Sequence, residues 1–262
     1  MIINFFKYDG TGNDFILIDN RNQEATSLNE DQISKICHRR FGIGADGVIL
    51  LQSNPGFDFE MKYYNANGKE GSMCGNGARC ITAFAKHLNI IDREAHFLAV
   101  DGAHEAKVEN GLVHLKMQDV STIDAYGKDY LLDTGSPHYI QFVASLDNFD
   151  VEKEGKAIRH HADFDEAGIN VNFVEIKKAG HLKIYTFERG VEAETYSCGT
   201  GATAAAITTA LHTELSQGAY NYHLTTKGGA LQVQFTFTTS KMFEDIYLIG
   251  PANYRFKGQI EI

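Results

Sequence analysis

Short apolar segments of strand length alternate with turns marked by Gly, Asn and Pro along most of the chain, which predicts a protein built largely from β-strands. Residues 2–7 and 15–19 are the first two strands, parted by the glycine-broken turn Tyr8-Asp9-Gly10-Thr11-Gly12-Asn13-Asp14. Strands at 48–51 and 57–64 follow, then shorter ones at 97–100, 106–108 and 112–115, with Asp101-Gly102 and Asn110-Gly111 as hairpin turns. In the second half the pattern places strands at 131–132, 138–143, 169–175, 182–187, 220–224, 231–235 and 245–249. Short strands joined by tight turns imply antiparallel sheet.

Helical periodicity interrupts this pattern in four places. Asn29 is a capping residue for a helix through 40 with Ile33, Ile36 and Cys37 inward, and residues 151–161 read as a surface helix. The other two helices open on the same phrase. Ser72-Met73-Cys74-Gly75-Asn76-Gly77-Ala78-Arg79 precedes Ile81, Phe84, Ala85, Leu88 and Ile91 at three- and four-residue steps. Ser197-Cys198-Gly199-Thr200-Gly201-Ala202-Thr203 precedes a run of small, nearly uncharged residues that belongs inside a domain. Cys-Gly-x-Gly-Ala thus recurs 124 positions on, 198 minus 74. The repeat predicts two similar halves, 1–119 carrying Cys74 and completed by 252–262, and 120–251 carrying Cys198.

A cysteine just ahead of a helix sits beside unpaired backbone N–H groups and the positive end of the macrodipole, so its thiolate is accessible near neutral pH as nucleophile or base. The glycines that follow remove side chains from the path of an anion such as a carboxylate. A single such phrase is ordinary turn chemistry. Two copies, each a thiol with the same two glycines, point to a pseudo-symmetric site that holds a substrate between two thiols.

Composition narrows the function classes. With 262 residues, 43% of them hydrophobic, the chain has material for substantial cores, and its net charge of −10 argues against a nucleic-acid partner. No apolar run reaches the ~20 residues of a membrane helix, and the N-terminus lacks a signal-peptide pattern, so a cytoplasmic location is the expectation. The four cysteines form no disulfide framework, and Cys74, Cys80 and Cys198 lack zinc-ligand spacing, so no metal is expected. Gly42, Gly44 and Gly47 match GxGxxG, but they follow a helix and precede a strand, the reverse of the dinucleotide fingerprint.

Gly12-Asn13-Asp14-Phe15, Tyr64-Asn65-Ala66-Asn67-Gly68, Met73 to Cys80, Glu188-Arg189-Gly190-Val191, Cys198-Gly199-Thr200-Gly201-Ala202 and Gly250-Pro251-Ala252 together resemble the signatures of the diaminopimelate epimerase family. The resemblance runs from about residue 4 to 260. It implies an α/β (α+β) fold of two pseudo-symmetric halves, each an antiparallel barrel-like sheet around a central helix. It further implies a cofactor-independent isomerase that inverts one α-carbon of LL-diaminopimelate to the meso isomer, in lysine and peptidoglycan precursor synthesis.

By motif match, the family implies Cys74 and Cys198 as the acid/base thiols, tuned by His138 and Glu188. Asn13, Asn65, Asn170, Glu188 and Arg189 are then substrate ligands, with Gly75, Asn76, Gly199 and Thr200 around the reacting carboxylate. Gly47 and Ser136 depart from the usual pattern, where glutamine and asparagine are common, and Glu192-Ala193 lengthens the loop before Cys198. Phe256 lies near a dimer-contact tyrosine of some members, which leaves a homodimer open. Rival readings are another cofactor-independent racemase of the proline racemase type, a thiol redox protein, which the absence of CxxC disfavours, and an anion-binding module without catalysis.

Overall fold

The computed structural model describes residues 2–25, 27–164, 168–239 and 242–262. The chain forms two compact units, Met1–Leu115 with Gly250–Ile262, and Lys116–Ile249. In the first unit β1 (Ile2–Gly10), β2 (Asn13–Asp19), α1 (Glu30–Cys37), β3 (Gly47–Gln52), β4 (Phe59–Asn65), α2 (Gly75–His87), β5 (Glu94–Ala99), β6 (Gly102–Glu109) and β7 (Leu112–Lys116) follow in order. The second unit runs β8 (Ile123–Tyr126), β9 (Asp129–Asp133), β10 (Pro137–Phe142), α3 (Val151–Arg159), β11 (Asn170–Lys178), β12 (His181–Glu188), β13 (Ala193–Thr195), α4 (Gly199–His212), β14 (Gly218–Thr226), β15 (Gly229–Phe237) and β16 (Phe243–Gly250). The chain then returns to the first unit as β17 (Asn253–Glu261), paired antiparallel with β1.

Each unit repeats one ladder. In the first, β1 pairs with β2, β3 with β4, and β5 with β6 and on to β7, all antiparallel, while β2–β3 and β4–β5 are parallel. In the second, β8–β9, β9–β10, β11–β12, β14–β15 and β15–β16 are antiparallel, and β10–β11 and β12–β14 are parallel. The sheet is therefore mixed, where tight turns alone suggested antiparallel pairing throughout. The reason is the helices: each parallel pair is bridged by one, α1, α2, α3 and α4 in turn, because parallel neighbours need a long crossover.

The second and fourth helices are the central ones. α2 packs on β1, β2, β3, β4, β6 and β17, and α4 on β9, β10, β11, β12 and β15. Buried α4 accommodates its threonines because their hydroxyls bond back within the helix, Thr203 to the Gly199 carbonyl at 3.1 Å and Thr208 to that of Ala204 at 2.8 Å. Neighbouring side chains crowd both Gly77 and Gly201. A Cβ on Gly77 would lie 3.0 Å from Ile49 Cδ1, and one on Gly201 only 2.3 Å from Asn172 Oδ1.

Two differences from the sequence reading have local causes. α1 ends at Cys37, not near 40, because the next loop folds back: Ile43 and Gly44 donate to the Ile36 carbonyl and Ala45 to that of Cys37. Gly42 and Gly44 serve that turn, since a Cβ on Gly42 would meet the Lys35 carbonyl at 2.1 Å. β17 has no legible apolar alternation, being mostly exposed, and exists through its pairing with β1. Among the described residues no helix is long and apolar enough to cross a membrane.

Candidate active site

Cys74 and Cys198 occupy the same backbone state. Each is the N-cap of its buried helix with φ −118° and ψ 117°, an extended residue whose carbonyl accepts the first helical bond, from Ala78 at 2.7 Å and from Ala202 at 2.9 Å. Both are partly accessible, whereas Cys37 and Cys80 are buried. Burial raises the Cys37 thiol to about 11 and that of Cys80 well above the usual range, so these two stay protonated and inert.

Around Cys74 the first unit gathers Asn13, Asp46, Asn76 and Arg79. Asn13 Oδ1 accepts from the thiol at 3.7 Å and from Asn76 Nδ2 at 3.3 Å. Its amide nitrogen donates to Asp46 Oδ2 at 2.6 Å. Asp46 also takes the Asp14 N–H at 3.1 Å and Arg39 Nη2 at 2.7 Å. Burial works to raise the Asp14 carboxyl, but hydrogen bonds from Arg39 and Lys7 outweigh it and hold the group at about 2. Asn65 ends β4 with its amide nitrogen beside Gly71, in the loop that leads to Cys74.

Arg79 lies beneath this cluster with no exposed surface. Its Nη2 donates to Thr11 Oγ1 at 2.8 Å and Asn76 Oδ1 at 3.1 Å, while Nε has no hydrogen-bond partner. Burial lowers its pKa, against the charges of Cys80, Cys74 and Asp9. Holding Oδ1 of Asn76, Arg79 leaves Nδ2 of that residue to face Asn13, so the guanidinium sets the amide's orientation.

The second unit builds a different surround for Cys198. The sulfur accepts the Gly201 N–H at 3.4 Å and lies 3.4 Å from Thr200 Oγ1. Thr200 Oγ1 is 2.9 Å from His138 Nε2, and the Thr200 carbonyl accepts from Thr134 Oγ1 at 2.8 Å. His138 is fully buried, and burial, aided by the Arg189 charge, lowers its pKa to about 3, so it is neutral under physiological conditions. Asn170 accepts the Arg189 N–H at 3.1 Å and donates to Ser136 Oγ at 2.9 Å, and Arg189 Nη2 reaches the same hydroxyl at 3.4 Å. Glu188 ends β12, where it pairs with Ala193.

Most of the sequence-predicted residues thus fall into two clusters, Asn13, Cys74, Gly75 and Asn76 in one unit, and His138, Asn170, Arg189, Cys198, Gly199 and Thr200 in the other, while Asn65 and Glu188 stand at the ends of β4 and β12. Asp46, Arg79 and Ser136 belong to these clusters, as do Asn172, whose Nδ2 lies 3.0 Å from His138 Nδ1, and Thr186, whose hydroxyl donates to Asn172 Oδ1 at 2.9 Å; none was predicted as a site residue. For Asn172 a signal existed: Asn170 and Asn172 share one face of a strand whose first five residues are otherwise Val171, Phe173 and Val174, an unusual place for two amides. Gly47 cannot carry a side chain, since a Cβ would meet the Tyr64 carbonyl at 2.4 Å.

The sequence profile of the diaminopimelate epimerase family matches residues 5–123 and 130–255. Diaminopimelate epimerase of Flavobacterium psychrophilum is 47% identical over 256 residues, 97% of this chain and 99% of that one. That of Chlorobaculum tepidum is 41% identical, again over 97% of this chain and 99% of its own. Among solved structures, a Bacillus anthracis phenazine biosynthesis protein of the PhzF family superposes with a TM-score of 0.78 at 17% identity, covering all of both chains. A hydroxyproline epimerase from Agrobacterium vitis gives 0.69 at 13% identity, over 99% of this chain and 92% of that one. These distant structures share the fold.

Proposed function

Since the chain belongs to the diaminopimelate epimerase family, an isomerase family, we propose that it interconverts LL- and meso-diaminopimelate using Cys74 and Cys198 as paired acid and base. The observation that carries the mechanism is the pair of accessible thiols with the same N-cap torsions, each at the start of a buried helix.

The α-hydrogen of an amino acid is a very weak acid, so the carbanion needs stabilisation by preorganised donors. The first-turn N–H groups at Gly75, Asn76, Gly199 and Thr200 supply such donors to a carboxylate, with the helix dipoles behind them. One thiolate removes the α-hydrogen while the other thiol delivers a proton to the opposite face of the carbon, which inverts it. The pair begins with one sulfur deprotonated and ends with the other so. Asn13, Asn65, Asn170, Glu188 and Arg189 are the proposed substrate ligands, Arg189 offering a planar fork to a second carboxylate. His138 and Glu188 tune the thiols, His138 through Thr200.

The test is conversion of LL-diaminopimelate in deuterated water, followed by NMR. Two bases place solvent deuterium at the inverted carbon of the product after one turnover, and recovered substrate carries little label early. Equal early labelling of substrate and product would overturn the two-base reading, and absence of any turnover would overturn the activity.

A further inference from the structure

We propose that Asn172 is a positioning residue that holds His138 as the neutral Nε2–H tautomer, and so aims the hydroxyl hydrogen of Thr200 at the sulfur of Cys198. The proposal rests on the reading of Cys198 as an acid–base thiol.

One buried amide has a fixed orientation. Asn172 has no exposed surface, and its Nδ2 lies 3.0 Å from His138 Nδ1, 3.1 Å from the Tyr139 carbonyl and 3.4 Å from the Asn170 carbonyl. Its Oδ1 accepts from Thr186 Oγ1 at 2.9 Å, directly across the ladder. Reversing the amide would press its oxygen against two carbonyl oxygens, so the nitrogen faces His138 and donates. Nδ1 is therefore the acceptor of the ring, and in a neutral imidazole the hydrogen then sits on Nε2.

The consequence passes to the sulfur. Nε2–H donates to Thr200 Oγ1 at 2.9 Å, which leaves the threonine's own hydrogen for Cys198 Sγ at 3.4 Å, beside the Gly201 N–H. The opposite tautomer would make Nε2 an acceptor and draw that hydrogen away from the sulfur. Donors at sulfur favour the thiolate, so the tautomer of a buried ring decides how readily Cys198 ionises. Arg189 is the charged group that acts on this ring, and its positive charge likewise keeps it neutral.

Packing does not demand these polar groups. The two units repeat the same ladder, and in the first the parallel pairs Phe15 with Gly47 and Leu17 with Ile49 stand where the second has His138 with Asn170 and Ile140 with Asn172. Gly77 abuts Ile49 as Gly201 abuts Asn172. At the positions of His138 and Asn172 the first unit thus carries Phe15 and Ile49, both fully buried. The fold tolerates apolar side chains at this place, and only the second unit has a chain of hydrogen bonds there.

The test labels the full-length protein with 15N-histidine and reads the ring nitrogens of His138, assigned by loss of signal in His138→Gln. The wild type is expected to show a protonated Nε2 and bare Nδ1 from pH 5 to 8. In Asn172→Leu, which copies the apolar choice of the first unit, both tautomers should appear. Alkylation of Cys198 by iodoacetamide at pH 7 should then slow about 10-fold with that of Cys74 unchanged, and kcat should fall by a similar factor with little change in KM. Thr200→Val breaks the relay at its other end and should slow Cys198 alkylation while leaving the His138 tautomer as it was. A wild-type His138 protonated on Nδ1, or an unchanged Cys198 alkylation rate in both variants, overturns the proposal. Wild-type protein that shows the expected ring signals and alkylation but no turnover of LL-diaminopimelate supports the positioning role and removes the assigned activity instead.

Discussion

Asn13 turns its amide nitrogen to Asp46 Oδ2, 2.6 Å away, and by that bond presents its carbonyl oxygen to the sulfur of Cys74 at 3.7 Å. A carboxylate outside the predicted site thus decides which end of an amide the thiol meets. Asp46→Asn keeps the shape but puts an amide opposite both Asn13 and Arg39, which cannot satisfy both. Loss of this charge-assisted bond should lower kcat/KM about 10-fold, as measured by steady-state kinetics with LL-diaminopimelate. Unchanged kinetics would detach Asp46 from the site.

The four thiols should separate cleanly in reactivity. Iodoacetamide at pH 8 is expected to label Cys74 and Cys198 and spare Cys37 and Cys80, whose thiols are raised by burial, as peptide mass spectrometry can read. Cys37→Ala and Cys80→Ala should retain turnover. Cys74→Ala and Cys198→Ala should each lose at least ~100-fold, the scale of a missing general acid or base.

Arg79 should show opposite effects on stability and activity. Among the described residues no carboxylate lies within ion-pair distance of its fully buried guanidinium, and its Nε is unbonded, so the charge is held at a cost. Arg79→Met is expected to leave Tm unchanged or raised while kcat falls about 10-fold, because Asn76 loses the donor that fixes its amide. A large drop in Tm in calorimetry would assign Arg79 to the fold instead.

Asp14 makes stability depend on acidity. Its carboxyl is held at about 2, below its ordinary 3.8, so its contribution is complete above pH 4 and is lost as pH falls toward 2. Asp14→Asn should therefore cost on the order of 2 kcal/mol at pH 7, and the gap from wild type should close below pH 3. Urea unfolding at pH 7 and pH 2.5 measures both values, and a gap of equal size at the two would refute the ion-pair account.

Much of the candidate site was legible in the chain because its most informative features are local. A cysteine followed by two spaced glycines and an apolar run specifies a helix N-terminus within a few residues, and the second copy specifies that the arrangement is used twice. Asn13, Asn170 and Arg189 could be named from motifs, since turns beside strand ends are written in adjacent residues.

Tertiary structure decided which of those residues meet and what each is bonded to. His138 and Asn172 are 34 positions apart, and only the parallel register of β10 and β11 across a helical crossover brings ring and amide to 3.0 Å. The same holds for Asn13 with Asp46, and for Arg79 with Thr11 across 68 positions. Periodicity along a strand reports which face a side chain takes, but not which strand lies beside it or in what register. The sequence by itself therefore determined the two thiols and their helices, while the different surrounds of Cys74 and Cys198 arose from long-range strand pairing, whose contacts no local spacing encodes.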